Sequence, residues 1–234
     1  MITTVRGSEE LAAIAARASV ELADASAETI LRFAADEFGS GLAVTASMQD
    51  TVLVHLASTV LPGIDVLFLE TGYHFLETLG TADAVEAVYD VRLRRLLPVL
   101  TVAEQDRQYG KDLFATNPDL CCSLRKVAPL NAALDGYEAW ATGVRRVEAP
   151  TRAGTPVVQF DAKRGRVKFA PLATWSDDDV ADYITANNVL VNPLLSAEYP
   201  SIGCEPCTRR VPPGQDSRSG RWAGLTKTEC GINL

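Results

Sequence analysis

Leu42-Ala43-Val44-Thr45-Ala46 has the composition of a buried strand, and Ser47-Met48-Gln49-Asp50 turns out of it into an apolar stretch through Val52, Leu53 and Leu56. Asp50 stands where a side chain caps a helix start. After Pro62-Gly63, Asp65-Val66-Leu67-Phe68-Leu69 repeats the pattern, Glu70-Thr71-Gly72 leads into a further helix to about Tyr89, and Val91 to Leu97 reads as a third strand. Strands buried on both faces read as continuous apolar runs, and alternation with helices implies parallel pairing. The expected fold is therefore α/β, a Rossmann-like parallel twisted sheet flanked by helices. Ligands of such sheets bind beyond the carboxyl ends of the strands, which places the Ser47–Asp50 and Glu70–Tyr73 loops at the site.

Outward from this core, residues 8–38 predict two helices starting at Ser8 and Ser26, serving packing or homo-oligomer contact. Residues 102–117 hold few core positions and are expected to form a mobile loop. Asp119 begins a helix, and Ala139-Trp140-Ala141-Thr142 is a short strand. Val157–Phe160 and Val167–Phe169 form a hairpin around Lys163-Arg164-Gly165. Ser176 with three aspartates opens a helix through Val180, Tyr183 and Ile184. Beyond Asn192 the chain turns loop-like, and Pro212-Pro213-Gly214 marks an irregular linker. The expected organisation is one domain: helices over 1–40, the α/β body over 41–210, and a mobile C-terminal segment over 211–234.

The 234 residues carry a net charge of −8, with 47% hydrophobic and 22% charged residues, which fits an ordinary globule and argues against a nucleic-acid binder. No apolar run approaches the roughly 20 residues of a membrane span. An anionic substrate would need a local basic pocket.

Five cysteines carry the chemistry. Cys121 and Cys122 are adjacent, Cys204 and Cys207 form Cys-Glu-Pro-Cys, and Cys230 stands apart in Lys-Thr-Glu-Cys-Gly. Two pairs on distant segments suggest one four-thiolate site, for zinc or an iron–sulfur cluster. Neighbouring side chains on a helix diverge by about 100°, so the tandem pair suits the spread irons of a [4Fe–4S] cluster better than one zinc. Met1-Ile-Thr-Thr-Val lacks the features of a secretion signal, so the thiols are expected to stay reduced in a cytoplasm. Cys230 is then a free nucleophile near a mobile end, its thiol acidified by Lys227, Arg218 and Arg221. His55 is expected to be packed on an apolar helix.

Cys-Cys-Ser-Leu-Arg-Lys-Val, Ser-Ile-Gly-Cys-Glu-Pro-Cys-Thr, Arg-Ser-Gly-Arg-Trp and Lys-Thr-Glu-Cys-Gly-Ile together resemble the assimilatory adenylyl-sulfate (APS) reductases, from about Gly41 to the C-terminus. In the related PAPS reductases the terminal cysteine is kept and the cluster cysteines are missing. The resemblance implies a fold similar to the ATP-pyrophosphatase and adenine nucleotide hydrolase proteins, with phosphate held at the Ser47 loop. It implies a [4Fe–4S] cluster on Cys121, Cys122, Cys204 and Cys207. Cys230 would attack the sulfur of adenylyl sulfate, AMP would leave, and thioredoxin would release sulfite. It also puts Lys126, Arg152, Arg218 and Arg221 on positions that contact phosphosulfate or nucleotide. One position departs: the family usually has histidine three residues after the nucleophile, and this chain has Asn233. Asparagine offers a neutral hydrogen bond, so weaker sulfate binding or a less activated thiol is expected.

Overall fold

The computed structural model describes residues 6–233; Met1–Val5, on which the reading of the N-terminus rests, and Leu234 lie outside them. Among the described residues, six strands form one sheet: β1 (Leu42–Ala46), β2 (Ile64–Leu69), β3 (Val91–Leu96), β4 (Ala139–Thr142), β5 (Val158–Asp161) and β6 (Arg166–Phe169). Their order is β3-β2-β1-β4-β6-β5, parallel throughout except that β5 runs antiparallel to β6 at one edge. The sequence-derived hairpin is thus present, and its second strand extends the parallel sheet.

Side chains alternate across a strand, and the sheet uses both faces. Val44, Val66, Phe68 and Ala141 enter one core with helices α1 (Ser8–Glu21), α2 (Ala27–Phe38) and α3 (Val52–Val60). Ala43, Leu67 and Trp140 face the other way, against Leu130 and Leu134. This double covering is why β1 and β2 are apolar without a polar stripe. Among the described residues, no helix is long and apolar enough to cross a membrane.

Helix α4 (Leu76–Val88) links β2 to β3. The segment expected to be a loop after β3 is largely helical, as α5 (Val102–Tyr109) and α6 (Leu113–Thr116). A capping box between Thr101 and Glu104 starts α5, and buried Gln105 anchors it, so it holds without an apolar stripe. Helix α7 (Pro118–Cys122) passes through a π-helical turn (Ser123–Val127) into α8 (Ala128–Leu134). Such turns shift side-chain direction within a continuous helix. Buried Arg125, in that turn, donates to the carbonyls of Thr71 and Leu100 and to Gln105 Oε1, and covers the Tyr73 ring. It fastens α5 and α7 to the loop after β2.

Helix α9 (Asp177–Asn187) begins with the expected capping box, closed by Ser176 and Asp179. His55 is packed as expected, its ring against Tyr89 and Tyr183 and its Nδ1 2.8 Å from the Tyr183 hydroxyl. Asn192, fully buried, hooks the following segment to the β1 turn by donating to Met48 O at 3.1 Å and to α4 by donating to Thr78 Oγ1 at 3.0 Å.

Candidate active site

Strand order reverses between β1 and β4, and crevices open at such points at the carboxyl ends of the strands. A cavity of about 360 Å³ lies there, bounded by Thr45 and Ala46 at the end of β1, Thr142 and Gly143 at the end of β4, and Ser201–Gly203. Ser47, Asp50, Lys126, Arg152, Arg218, Arg221, Cys230 and Asn233 all line it. The structure therefore gathers eight positions from five distant segments into one cleft. The other four cysteines line a separate, adjoining cavity, and Lys126 and Trp222 belong to both walls.

The turn after β1 carries Met48 in the left-handed region at φ 60°, with its side chain buried. The helix cap is Thr51 and not Asp50 as expected; Asp50, one residue earlier, accepts from Val52 N at 3.3 Å through Oδ1, closing the turn into α3. Burial pushes the Asp50 carboxyl up from its ordinary value, with a further rise from Glu148.

Arg152 is the most heavily engaged cation. It donates to Glu148 Oε2 at 2.5 Å and to both oxygens of Glu229. Burial opposes its charge, but the Glu229 hydrogen bonds and the two carboxylates outweigh burial and raise its pKa. Arg218 reaches Glu229 at 3.4 Å and the Thr228 carbonyl at 3.0 Å. Arg221 donates to Ser201 Oγ and Ile202 O and lies over the Trp222 ring. It fits there because residue 203 is glycine: a Cβ would stand 2.2 Å from Arg221 Nη2.

The C-terminal segment lies folded across the cleft. Trp222 N donates to Cys207 O and Arg209 N to Gly220 O, which ties the arginine stretch to the Cys-x2-Cys stretch. Lys227, expected to activate Cys230, instead pairs with Asp119 of α7 and covers Trp222. The ammonium electrostatically coupled to Cys230 is that of Lys126: burial lowers its pKa, and the thiolates of Cys204, Cys230 and Cys122 reverse that and raise it. Asn233 lines the cleft. Its side chain accepts from Thr142 Oγ1 at 3.3 Å and its carbonyl from Lys168 Nζ at 3.0 Å.

All five cysteines are unpaired. Cys121 and Cys122 lie in α7, whose start is capped by Asn117, and Cys204 and Cys207 flank a short 3₁₀ turn. Burial, then the neighbouring thiolates, push Cys121 up to about 12 and Cys207 up to about 11. Cys121, Cys122 and Cys204 are buried and Cys207 is half-buried, and thiolates gathered this way repel one another unless positive charge lies among them, so the donor chemistry fits a metal cluster. Among the described residues, no three His, Cys, Asp or Glu side chains form a group that could hold a metal ion.

Sequence reading missed Glu229 and Lys168. Glu229 was legible as the acid beside the thiol, close to two arginine stretches. Lys168 alternates with Val167 and Phe169 and so reads as a solvent-facing strand residue.

Fold and cleft together define a doubly wound α/β protein with a thiol and arginines facing an anion-sized crevice at the strand ends. The phosphoadenosine phosphosulfate reductase domain model matches residues 41–210, and the chain belongs to that family. It is 60% identical to the adenosine 5'-phosphosulfate reductase of Streptomyces coelicolor, over 97% of each chain. Identity to the protein of that name from Mycolicibacterium smegmatis is 58%, over 99% of this chain and 98% of the other. Among solved structures it resembles the phosphoadenylyl-sulfate (PAPS) reductase of Candida auris in a phosphate complex. That match has a TM-score of 0.71 and 30% identity, covering 83% of this chain and 96% of the other.

Proposed function

We propose that this chain is an oxidoreductase acting on sulfur, which reduces adenylyl sulfate to sulfite and AMP in sulfate assimilation. One observation carries the reading of the chemistry: Cys230 shares a cleft with Lys126, Arg152, Arg218 and Arg221, while the other four cysteines line a neighbouring cavity. The Cys230 thiolate attacks the sulfur of the phosphosulfate. The bond from that sulfur to the bridging oxygen breaks, and AMP leaves with its electron pair. This gives a thiosulfonate on Cys230. An external dithiol of the thioredoxin class then attacks Cys230 Sγ, and sulfite leaves with the sulfur–sulfur electron pair. The second thiol of the dithiol resolves the mixed disulfide and regenerates Cys230, the two electrons coming from the dithiol. An external reductant is needed because the other cysteines are committed elsewhere.

Arg152, Arg218, Arg221 and Lys126 stabilise the sulfate and phosphate oxygens as the bridging bond breaks. The Ser47 turn and Asp50 form the floor against the nucleotide, and the 211–234 segment carries the nucleophile. Cys121, Cys122, Cys204 and Cys207 would hold a [4Fe–4S] cluster, whose charge would act on the site through Lys126. Reduced thiols and a reductant of this class fit a cytoplasmic setting.

The test is intact mass after mixing the protein with adenylyl sulfate, and separately with its 3'-phosphorylated form, without a dithiol. A gain of one SO3 that maps to Cys230, forms faster from adenylyl sulfate and disappears with thioredoxin supports the reading. Faster reaction of the 3'-phosphorylated nucleotide would make the chain a PAPS reductase, the assignment favoured by the Candida auris likeness. An adduct elsewhere, or none, overturns the mechanism.

A further inference from the structure

Lys168 sits in β6 with 4% of its surface exposed, its ammonium 5.0 Å from the centroid of the fully buried Trp140 ring. Arg164 approaches the same ring at 5.5 Å. A buried lysine is costly to keep charged, and an aliphatic side chain would cover Trp140 at lower cost. Its hydrogen-bond acceptor here is the backbone carbonyl of Asn233, at 3.0 Å. Between that carbonyl and the thiol stand two residues with defined conformations. Gly231 turns the chain in the left-handed region at φ 81°, and Ile232 packs on the cluster of Leu130, Leu134 and Trp140. Thr142 adds a hydrogen bond to the Asn233 side chain.

We propose that Lys168 is a positioning residue for Cys230: by holding the Asn233 carbonyl against β6 it latches the chain end and fixes the thiol at the mouth of the cleft. This rests on Cys230 being the nucleophile. Lys168 does not line the cleft and acts only through residues 231–233. Its partner is a backbone atom, so the latch is indifferent to the side chain at 233 and survives asparagine where the family usually has histidine. Substrate binding belongs to the arginines, so the latch governs the attack and not the affinity.

The test combines Lys168→Met, which keeps the stem over Trp140 and removes the donor, with Lys168→Arg and with a chain ended at Ile232. The first readout is the rate at which iodoacetamide alkylates Cys230, mapped by peptide mass, in protein without substrate. Lys168→Met should raise that rate and lower kcat for sulfite formation, each about tenfold, the effect of losing one charged hydrogen bond, with KM nearly unchanged. Lys168→Arg should restore both. The shortened chain should match Lys168→Met, and the two changes together should add nothing further. Unchanged alkylation and kcat in Lys168→Met, or effects that multiply in the double variant, overturn the proposal. If Lys168→Met does not fold, the shortened chain decides alone, and unchanged alkylation there is equally fatal. A wild-type protein that makes no sulfite would refute the reaction, whereas the alkylation rates would still report on the latch.

Discussion

Glu229 grips Arg152 with both carboxylate oxygens, Oε1 at 2.7 Å from Nε and Oε2 at 2.8 Å from Nη2, one residue before the cleft thiol. Fork-to-fork pairs of this kind fix orientation as well as charge. The carboxylate therefore occupies a guanidinium edge suited to a sulfate or phosphate, while it also steadies the residue next to Cys230. Glu229→Gln should strengthen anion binding and loosen the thiol. The expected outcome is a lower KM for adenylyl sulfate with kcat reduced about tenfold, from the loss of one charged contact. Steady-state kinetics on the variant check this, and a raised KM would count against it.

On the proposed cluster and nucleophile assignments, two thiol classes should separate on substitution. Cys230→Ser should keep its iron and visible absorbance and form no SO3 adduct. On the cluster assignment proposed above, Cys204→Ser should lose iron, because it removes one of the four proposed ligands and the Thr71 contact at 3.3 Å. Iron and acid-labile sulfide assays beside intact mass read both, and iron retained in full by Cys204→Ser would exclude that cysteine as a ligand.

Arg125 is 3% exposed and donates to the carbonyls of Thr71 and Leu100 and to the Gln105 side-chain oxygen. Arg125→Met should cost about 3 kcal/mol, since the stranded acceptors lose their only charged donor. A urea midpoint lowered at constant m-value would show it. On the proposed cluster assignment the variant should also retain iron poorly, because Arg125 lines the cysteine cavity.

Burial depresses Lys168 to about 8 from 10.5, with Asp161 opposing the shift and Arg164 and Arg152 adding to it. Between pH 8 and 10.5 the unfolded chain therefore holds more protons at this site than the folded one. Stability owed to this group rises with pH across that window, and its burial cost is fully present below pH 8. Wild type minus Lys168→Met should thus become more favourable from pH 8 to 10, by roughly 1–3 kcal/mol. Chemical denaturation of both proteins across that range measures the difference, and parallel curves would contradict the buried-cation account.

The strands and the helix caps at Ser26 and Ser176 were legible because each has a short-range cause. Apolar runs bounded by turns gave β1 and β2. The 102–117 segment was misread because α5 buries only Gln105 and shows no apolar period. The signal that was there, threonine followed by glutamate at the third position, is a capping box with no hydrophobic face behind it. Lys227 was assigned to the wrong partner because its proximity to Cys230 in sequence says nothing of Asp119, which only the tertiary fold brings near. Lys168 and Arg125 went unread for a related reason: a buried charge is defined by acceptors far along the chain.

The thiol is pinned on both sides, by Glu229 before it and Asn233 after it, and the proposed reaction asks two opposite things of that segment. The first half-reaction profits from a tight hold, which keeps the sulfur aimed. The second needs Cys230 Sγ to reach a dithiol carried by another protein, one too bulky to enter a cleft of about 360 Å³. A firmer grip would therefore speed sulfonation while delaying sulfite release, and a weaker one would do the reverse. The strengths of these two clasps set which step limits turnover, so the slow step can move from chemistry to peeling without any change in the residues that touch the substrate.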